Sequence, residues 1–449
     1  MSDTSPSPGF IGRLTGALDG FIQRWLPEPL VIVILLTFFV FALGIAVEGA
    51  APADMLTYFG DGFWDLLTFA MQMALVLVTG FVFATTPLFA RLLGWIARRA
   101  RTAGQAIVLV TLVSLAASFV NWGFGLVIGA LFAKRLAREV PEVDYRVLIA
   151  AGYSGFLIWH AGLSGSIPLT AATPGNFLED EIGLIPASET IFAPFNLILL
   201  AVIACGLPFL NRMMLNHGGR VVRAGDLHLE DEDAEEPEVA PRTPAARLEH
   251  TPWIGRGIGG FGLAILALQV VRGEFSLTLN TVNFAFLFAA FLLHGSAHAF
   301  LRGLDQAVKG VGGILIQFPF YAGVMGMMVG SGLAASLTDV FVGAANSTIL
   351  PLLAFLSAGV VNVLVPSGGG QWAVQGPIIM PAAEALGADK ARVLMAIAWG
   401  DAWTNMIQPF WALPALAVAG LSARDIMGFC VLVLLVSGVV LGVGLTFLP

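Results

Sequence analysis

Asp401 is the one acid of the chain placed well inside an apolar run. A carboxylate at the bilayer centre costs about 2.5–3.5 kcal/mol on insertion scales, so it is expected to face a protein-lined cavity and to have a partner. It can bind Na⁺, carry a proton, or serve as a structural acid bonded to backbone amides. It opens the string Asp401-Ala402-Trp403-Thr404-Asn405-Met406-Ile407-Gln408-Pro409, where polar side chains crowd a helix break. His160 opens a similar one, His160-Ala161-Gly162-Leu163-Ser164-Gly165-Ser166-Ile167-Pro168, followed by Thr173-Pro174-Gly175-Asn176. An imidazole titrates near neutral pH, and equally it can simply hydrogen-bond beside a break.

Two further breaks are rich in glycine. One is Asn121-Trp122-Gly123-Phe124-Gly125; the other is Asn362, then Pro366-Ser367-Gly368-Gly369-Gly370-Gln371. Glycine lets the backbone turn and exposes amides. The helix after each tip presents its N-terminus, a partial positive charge suited to an anion. Three successive glycines pack nothing and weaken a helix, so Ser367–Gln371 reads as a site. Gly44, Gly80 and Gly326 read instead as helix-packing positions, while Gln72 and Gln317 suit either an interhelical hydrogen bond or a site. Irregular backbone at membrane depth is tolerated only inside protein or along a watery cavity, so the four breaks predict one central cavity.

The elements that must position these residues are membrane helices. Of 449 residues, 57% are hydrophobic and 12% charged, with mean hydropathy +0.86, which excludes ordinary soluble domains. The alternation of a β-barrel is absent. The fold class expected is an all-α polytopic membrane protein. The net charge of -8 reflects acids clustered in loops, and no basic tract points to nucleic acid. Cys205 and Cys430 sit in apolar runs, with no disulfide framework and no metal motif. Full spans are expected at 29–47, 62–86, 145–172, 192–210, 253–271, 277–294, 311–331, 391–419 and 426–448. Residues 104–138 and 349–387 read as re-entrant hairpins. Their halves, about 15–17 residues, are short for a core of about 30 Å.

With the N-terminus in the cytoplasm, 19 of the 22 Lys and Arg lie inside, and only Arg272, Lys390 and Arg392 outside. Residues 1–28 carry an amphipathic pattern, either on the membrane surface or packed on the protein. The acidic, proline-containing segment 224–250 reads as a disordered cytoplasmic linker. The expected domains are therefore 1–28, a first transmembrane repeat 29–210, a linker 211–252 and a second repeat 253–449. Shifted by 245 residues, Gln72 falls on Gln317, Gly123 on Gly368 and Gly125 on Gly370. Five spans separate 29–47 from 277–294, so the second copy is expected upside down, each copy carrying a hairpin and a broken helix. That is the architecture of secondary transporters.

The assignment leaves no Lys or Arg inside the membrane. An anion would meet amides, hydroxyls, helix N-termini and a co-bound cation, which suits one carboxylate better than two or three. Trp122, Trp159, Trp372, Trp399, Trp403 and Phe410 can wall a small apolar tail or form interfacial belts. No HExxH and no paired membrane aspartates point to an enzyme.

Five strings carry a family resemblance: Gly60-Asp61-Gly62-Phe63-Trp64, Asn121-Trp122-Gly123-Phe124-Gly125-Leu126-Val127, Ala172-Thr173-Pro174-Gly175-Asn176, Val365-Pro366-Ser367-Gly368-Gly369-Gly370, and Gln408-Pro409-Phe410-Trp411-Ala412-Leu413-Pro414-Ala415-Leu416. From about Arg24 to the C-terminus the chain resembles the bacterial short-chain fatty acid transporter family. The resemblance implies a scaffold domain, a moving domain with two hairpins, and a homodimer in the cytoplasmic membrane. It also implies transport of acids such as butyrate or acetoacetate. It carries substrate contacts to Asn121, Trp122, Gly123 and Gly125 at one tip and to Ser367, Gly368, Gly369, Gly370 and Gln371 at the other. At the two breaks it carries them to Ser164, Ser166 and Thr173, and to Thr404, Asn405 and Gln408. Asp401, Asn362 and His160 are the ion-coupling candidates. The resemblance keeps a carboxylate at Asp401 and asks less of His160. The expected partners are a monocarboxylate and a coupling cation, H⁺ or Na⁺, with no other cofactor. Transport of another small organic anion, or an anion channel, is the alternative.

Overall fold

The computed structural model describes residues 27, 29–216, 221–226, 243–365, 367–408, 411–412, 415–416 and 419–449. The amphipathic segment read at 1–28 and the core of the acidic linker lie outside the described residues. At the C-terminal end of that linker Thr243 accepts the Ala246 amide at 3.2 Å and caps a helix, Pro244–Glu249. This corrects the reading of 224–250 as disordered throughout; a capped proline start outweighs the polar composition there.

All regular elements among the described residues are helices, and sixteen of them form two series of eight. The first is α1 (Pro29–Glu48), α2 (Pro52–Gly62), α3 (Leu67–Ala84), α4 (Pro87–Ala97), α5 (Ala103–Val120), α6 (Trp122–Glu139), a broken helix α7 (Tyr145–Ser154, then 3-10 to Ala161 and Ser166–Ala171), and α8 (Pro194–Met213). After α9 (Pro252–Arg272) the order recurs: α10 (Leu279–His294), α11 (Ala297–Ala307), α12 (Gly312–Gly330), α13 (Leu333–Ala344), α14 (Leu350–Leu364), α15 (Gly368–Ala385), broken helix α16 (Lys390–Thr404, then 3-10 to Ile407), and α17 (Ala423–Phe447). The caps recur too. Asp144 accepts the Arg146 amide at the head of α7, and Asp389 accepts those of Ala391 and Arg392 at the head of α16. Packing is reciprocal: α3 lies against α10 and α11, and α12 lies against α1 and α2.

Among the described residues, eight helices are long and apolar enough to cross a membrane. They include α5, whose 18 residues exceed the half-hairpin length read from sequence. The short helices α2, α4, α11 and α13, of 11 or 12 residues, were not expected. The read span 62–86 shortens accordingly to α3. Burial orders the bundle: the α7 window is 94% buried and that of α9 only 17%, so the broken helix is central and α9 peripheral.

The first hairpin turns on one residue. Asn121 is extended (φ -157°, ψ 131°), ends α5 and caps α6 by accepting the Phe124 amide at 2.9 Å. Ser367 does the same for α15 (φ -156°, ψ 109°), accepting the Gly370 amide at 3.3 Å. Gly80 of α3 lies beneath the first cap; a Cβ there would stand 2.1 Å from Asn121 Oδ1. Gly80→Val is therefore expected to displace the cap and destabilise the fold by about 1–3 kcal/mol. A thermal melt of the purified protein checks this, and an unchanged midpoint would contradict it.

Candidate functional site

The two broken helices bring His160 and Asp401 together. The Asp144 cap starts α7, whose 3-10 turn Gly155–Ala161 carries His160; the Asp389 cap starts α16, which carries Asp401 in its last turn. His160 Nδ1 lies 2.8 Å from the Ala398 carbonyl oxygen and Nε2 lies 2.7 Å from Ser166 Oγ. A carbonyl only accepts, so Nδ1 holds the hydrogen, and in the neutral ring Nε2 accepts from the Ser166 hydroxyl. Asp401 Oδ1 stands 3.3 Å from the same Nδ1, whose N–H is directed at Ala398. Both carboxylate oxygens of Asp401 are buried without a hydrogen-bond partner among the described residues. A buried charge in that condition is costly unless a cation or a proton joins it.

Asn362 binds this break from α14. Its Nδ2 donates to the Asp401 carbonyl and to Thr404 Oγ1, each at 2.9 Å, and its own carbonyl accepts from Gln408 Nε2 at 2.7 Å. The Asn362 Oδ1 and Gln408 Oε1 acceptors are buried with no hydrogen-bond partner among the described residues. Orphan oxygens thus gather along α14 and α16. Orphan donors lie at the tips, Asn121 Nδ2, Trp122 Nε1 and Trp372 Nε1, and at the α16 break, Asn405 Nδ2, while the second tip also carries an orphan acceptor, Gln371 Oε1. Acceptors suit a cation or a proton; donors suit a carboxylate.

Both tips close on the break between His160 and Ser166. The Trp122 amide donates to Ser164 Oγ at 2.8 Å. At the other tip, a Cβ on Gly368 would lie 2.4 Å from the His160 ring and 2.8 Å from Ser166 Oγ, so only glycine reaches so close. Gly369 sits under Phe69 and Phe318, and Gly370 against Tyr321. Gln371 donates to the Ala358 carbonyl at 3.0 Å and to Gln375 Oε1 at 2.8 Å. Thr404 donates to the Gly359 carbonyl at 3.0 Å, and Asn405 Oδ1 accepts from Trp159 Nε1 at 2.9 Å.

Four candidates make contacts with other helices. Thr173 donates to the Leu169 carbonyl at 2.6 Å and accepts the Leu279 amide at 3.2 Å, joining α7 to α10. Gly123 lies against the backbone of Val76 and Leu77, and Gly125 against Ser118, where they allow helices to approach. Gln72 resolves as an interhelical bond, donating to Asn280 Oδ1 and accepting from Asn283 Nδ2 through its carbonyl, both at 2.9 Å.

The expected central cavity is closed. Asn121, His160, Ser164, Asn362, Gln371, Asp401 and Asn405 are each 0% exposed, so no water-sized space touches them. The breaks meet as a packed polar cluster, because the tip glycines admit the His160 ring and the aromatics of α3 and α12. Sequence reasoning missed Phe69, Phe318 and Tyr321. It also missed Asn196, which donates to the carbonyls of Ala161 and Ile191 and accepts from Trp399 Nε1. An asparagine in an apolar run was the available signal for Asn196; two phenylalanines among a total of 33 give none.

A family model described as short chain fatty acid transporter matches residues 10–448. An Escherichia coli (strain K12) protein provisionally named a short-chain fatty acid transporter is 46% identical over 439 residues, covering 97% of this chain and 99% of its own. A Haemophilus influenzae protein with the same provisional name is 43% identical over 447 residues, covering 98% and 100%. The fold is similar to the Alcanivorax borkumensis YdaH transporter, with TM-score 0.59 at 17% identity, covering 94% of this chain and 97% of that one. It is also similar to Neisseria gonorrhoeae MtrF, of a class described as antimetabolite efflux pumps, with TM-score 0.51 at 16% identity, covering 96% and 97%.

Proposed function

This chain belongs to the short-chain fatty acid transporter family, and from that premise we propose that it carries monocarboxylates such as butyrate or acetoacetate across the bacterial cytoplasmic membrane by cation-coupled alternating access. It is a membrane transporter rather than an enzyme. The observation behind the finer reading is the buried carboxylate of Asp401, beside His160 and without a hydrogen-bond partner among the described residues, where both tips converge. An ionised Asp401 repels a substrate carboxylate, so the anion binds well only after H⁺ or Na⁺ neutralises that charge. The substrate then meets the amides and hydroxyls at the tips, with Ser164, Ser166 and Ser367–Gly370 in contact, while Asn362 and His160 support Asp401.

In this reading the halves are related by a pseudo-two-fold axis in the membrane plane. The hairpins α5–α6 and α14–α15 re-enter from opposite faces, the N-terminus is cytoplasmic, and two copies form a homodimer. The recurring helix order, the Asp144 and Asp389 caps and the reciprocal packing support the axis. Counterflow in proteoliposomes tests the carrier assignment. Vesicles loaded with unlabelled butyrate should transiently concentrate labelled butyrate from outside. Simple equilibration without overshoot would indicate a channel and sink the proposal.

A further inference from the structure

Helix α4 shows one buried and one open face. Leu93 and Ala97 are buried, whereas Leu88, Leu92 and Trp95 are 49%, 41% and 50% exposed. Those three positions follow helical spacing and form one apolar stripe. Guanidinium groups gather at the end of the stripe. Arg98 Nη1 and Arg135 Nη1 stand 3.6 Å and 3.5 Å from the same point above Gly94, and the Arg99 guanidinium lies 3.2 Å over the Trp95 ring. Like charges so close are unfavourable without an anion between them. The sequence offers none locally: from Asp65 to Glu139 there are seven Lys and Arg and no intervening acid. Arg135 comes from α6, the arm whose first amide reaches the site at Ser164, and its guanidinium also donates to the Ala90 carbonyl of α4.

We propose that α4 and the far end of α6 bind an anionic phospholipid, its phosphate between Arg98 and Arg135 and its acyl chain along Leu88, Leu92 and Trp95. The occupant follows from the combination of features. The stripe fits a hydrocarbon chain, and the converging guanidiniums fit phosphate oxygens, which Arg binds in a planar fork. A neutral lipid would leave the two arginines uncompensated. Because Arg135 belongs to the hairpin arm and holds α4, the headgroup would brace α6 against α4.

The test is tryptophan quenching in vesicles of phosphatidylcholine with a varied fraction of brominated-chain phosphatidylglycerol, against the same series with brominated-chain phosphatidylcholine. The Trp95 share is read as the difference from Trp95→Phe. Brominated phosphatidylglycerol should quench that share at a several-fold lower mole fraction. Arg98→Gln should reduce the preference about fivefold, the effect of one basic residue near a lipid phosphate. The double variant with Arg135→Gln should erase it. Since Arg135 also holds Ala90, Arg98→Gln alone decides if the double variant misfolds. Equal quenching by both lipids, or a preference unchanged in Arg98→Gln, would overturn the proposal. So would absence of quenching by either, which would mean that another protein surface covers the stripe.

Discussion

Asp401→Asn is expected to abolish accumulation driven by an ion gradient while leaving substrate exchange measurable. The side chain is nearly isosteric, so packing around His160 and Ala398 is retained, but the variant cannot change charge. In the parent, substrate affinity should respond to the coupling ion by about 5–150-fold, the usual range for coupling of about 1–3 kcal/mol. In Asp401→Asn that response should vanish. The readouts are substrate affinity with and without the ion, and concentrative uptake at equal protein density. Undiminished concentrative uptake would remove Asp401 from the mechanism and leave the backbone and side-chain oxygens at the four breaks.

Gly369→Leu is expected to abolish transport for a different reason. A Cβ at Gly369 would stand 2.6 Å from the Phe69 ring and 3.0 Å from Phe318, so a side chain there requires the two rings or the second tip itself to shift. Overpacking of this kind costs about 1–3 kcal/mol, enough to shift the closed arrangement by about 5–150-fold. Even Gly369→Ala should slow transport, and Phe69→Leu in the same chain should partly restore it by yielding space. Surface expression and the thermal midpoint separate this effect from misfolding. Transport at parental rate and affinity by Gly369→Leu would mean that the tip takes no part in the cycle.

Much of the site was legible because its residues are conspicuous in an apolar sequence. Glycine, serine, asparagine and proline clustered inside hydrophobic runs marked the breaks, and the offset of 245 residues paired them. Asp401 stood out by the cost of its burial. Its distance from His160 did not, since two breaks in different halves carry no sequence record of which side chains touch. Gly123 and Gly125 sit at the first tip as read, and their packing against Val76, Leu77 and Ser118 was not visible in the sequence, where a tip glycine and a helix-contact glycine look alike. The short helices α2, α4, α11 and α13 were invisible to a search for membrane-length runs. The closed state of the cluster was invisible too. It depends on how Phe69, Phe318 and Tyr321 pack over three glycines, and no local pattern encodes that.

Cation coupling is tested most directly by uptake of labelled butyrate into proteoliposomes under an imposed H⁺ gradient and, separately, an imposed Na⁺ gradient. Accumulation above the equilibrium level is expected with one of the two ions, collapsing when an ionophore dissipates that gradient and missing in Asp401→Asn. Uptake that stops at the equilibrium level under both gradients, with the protein folded and active in exchange, would contradict coupled transport.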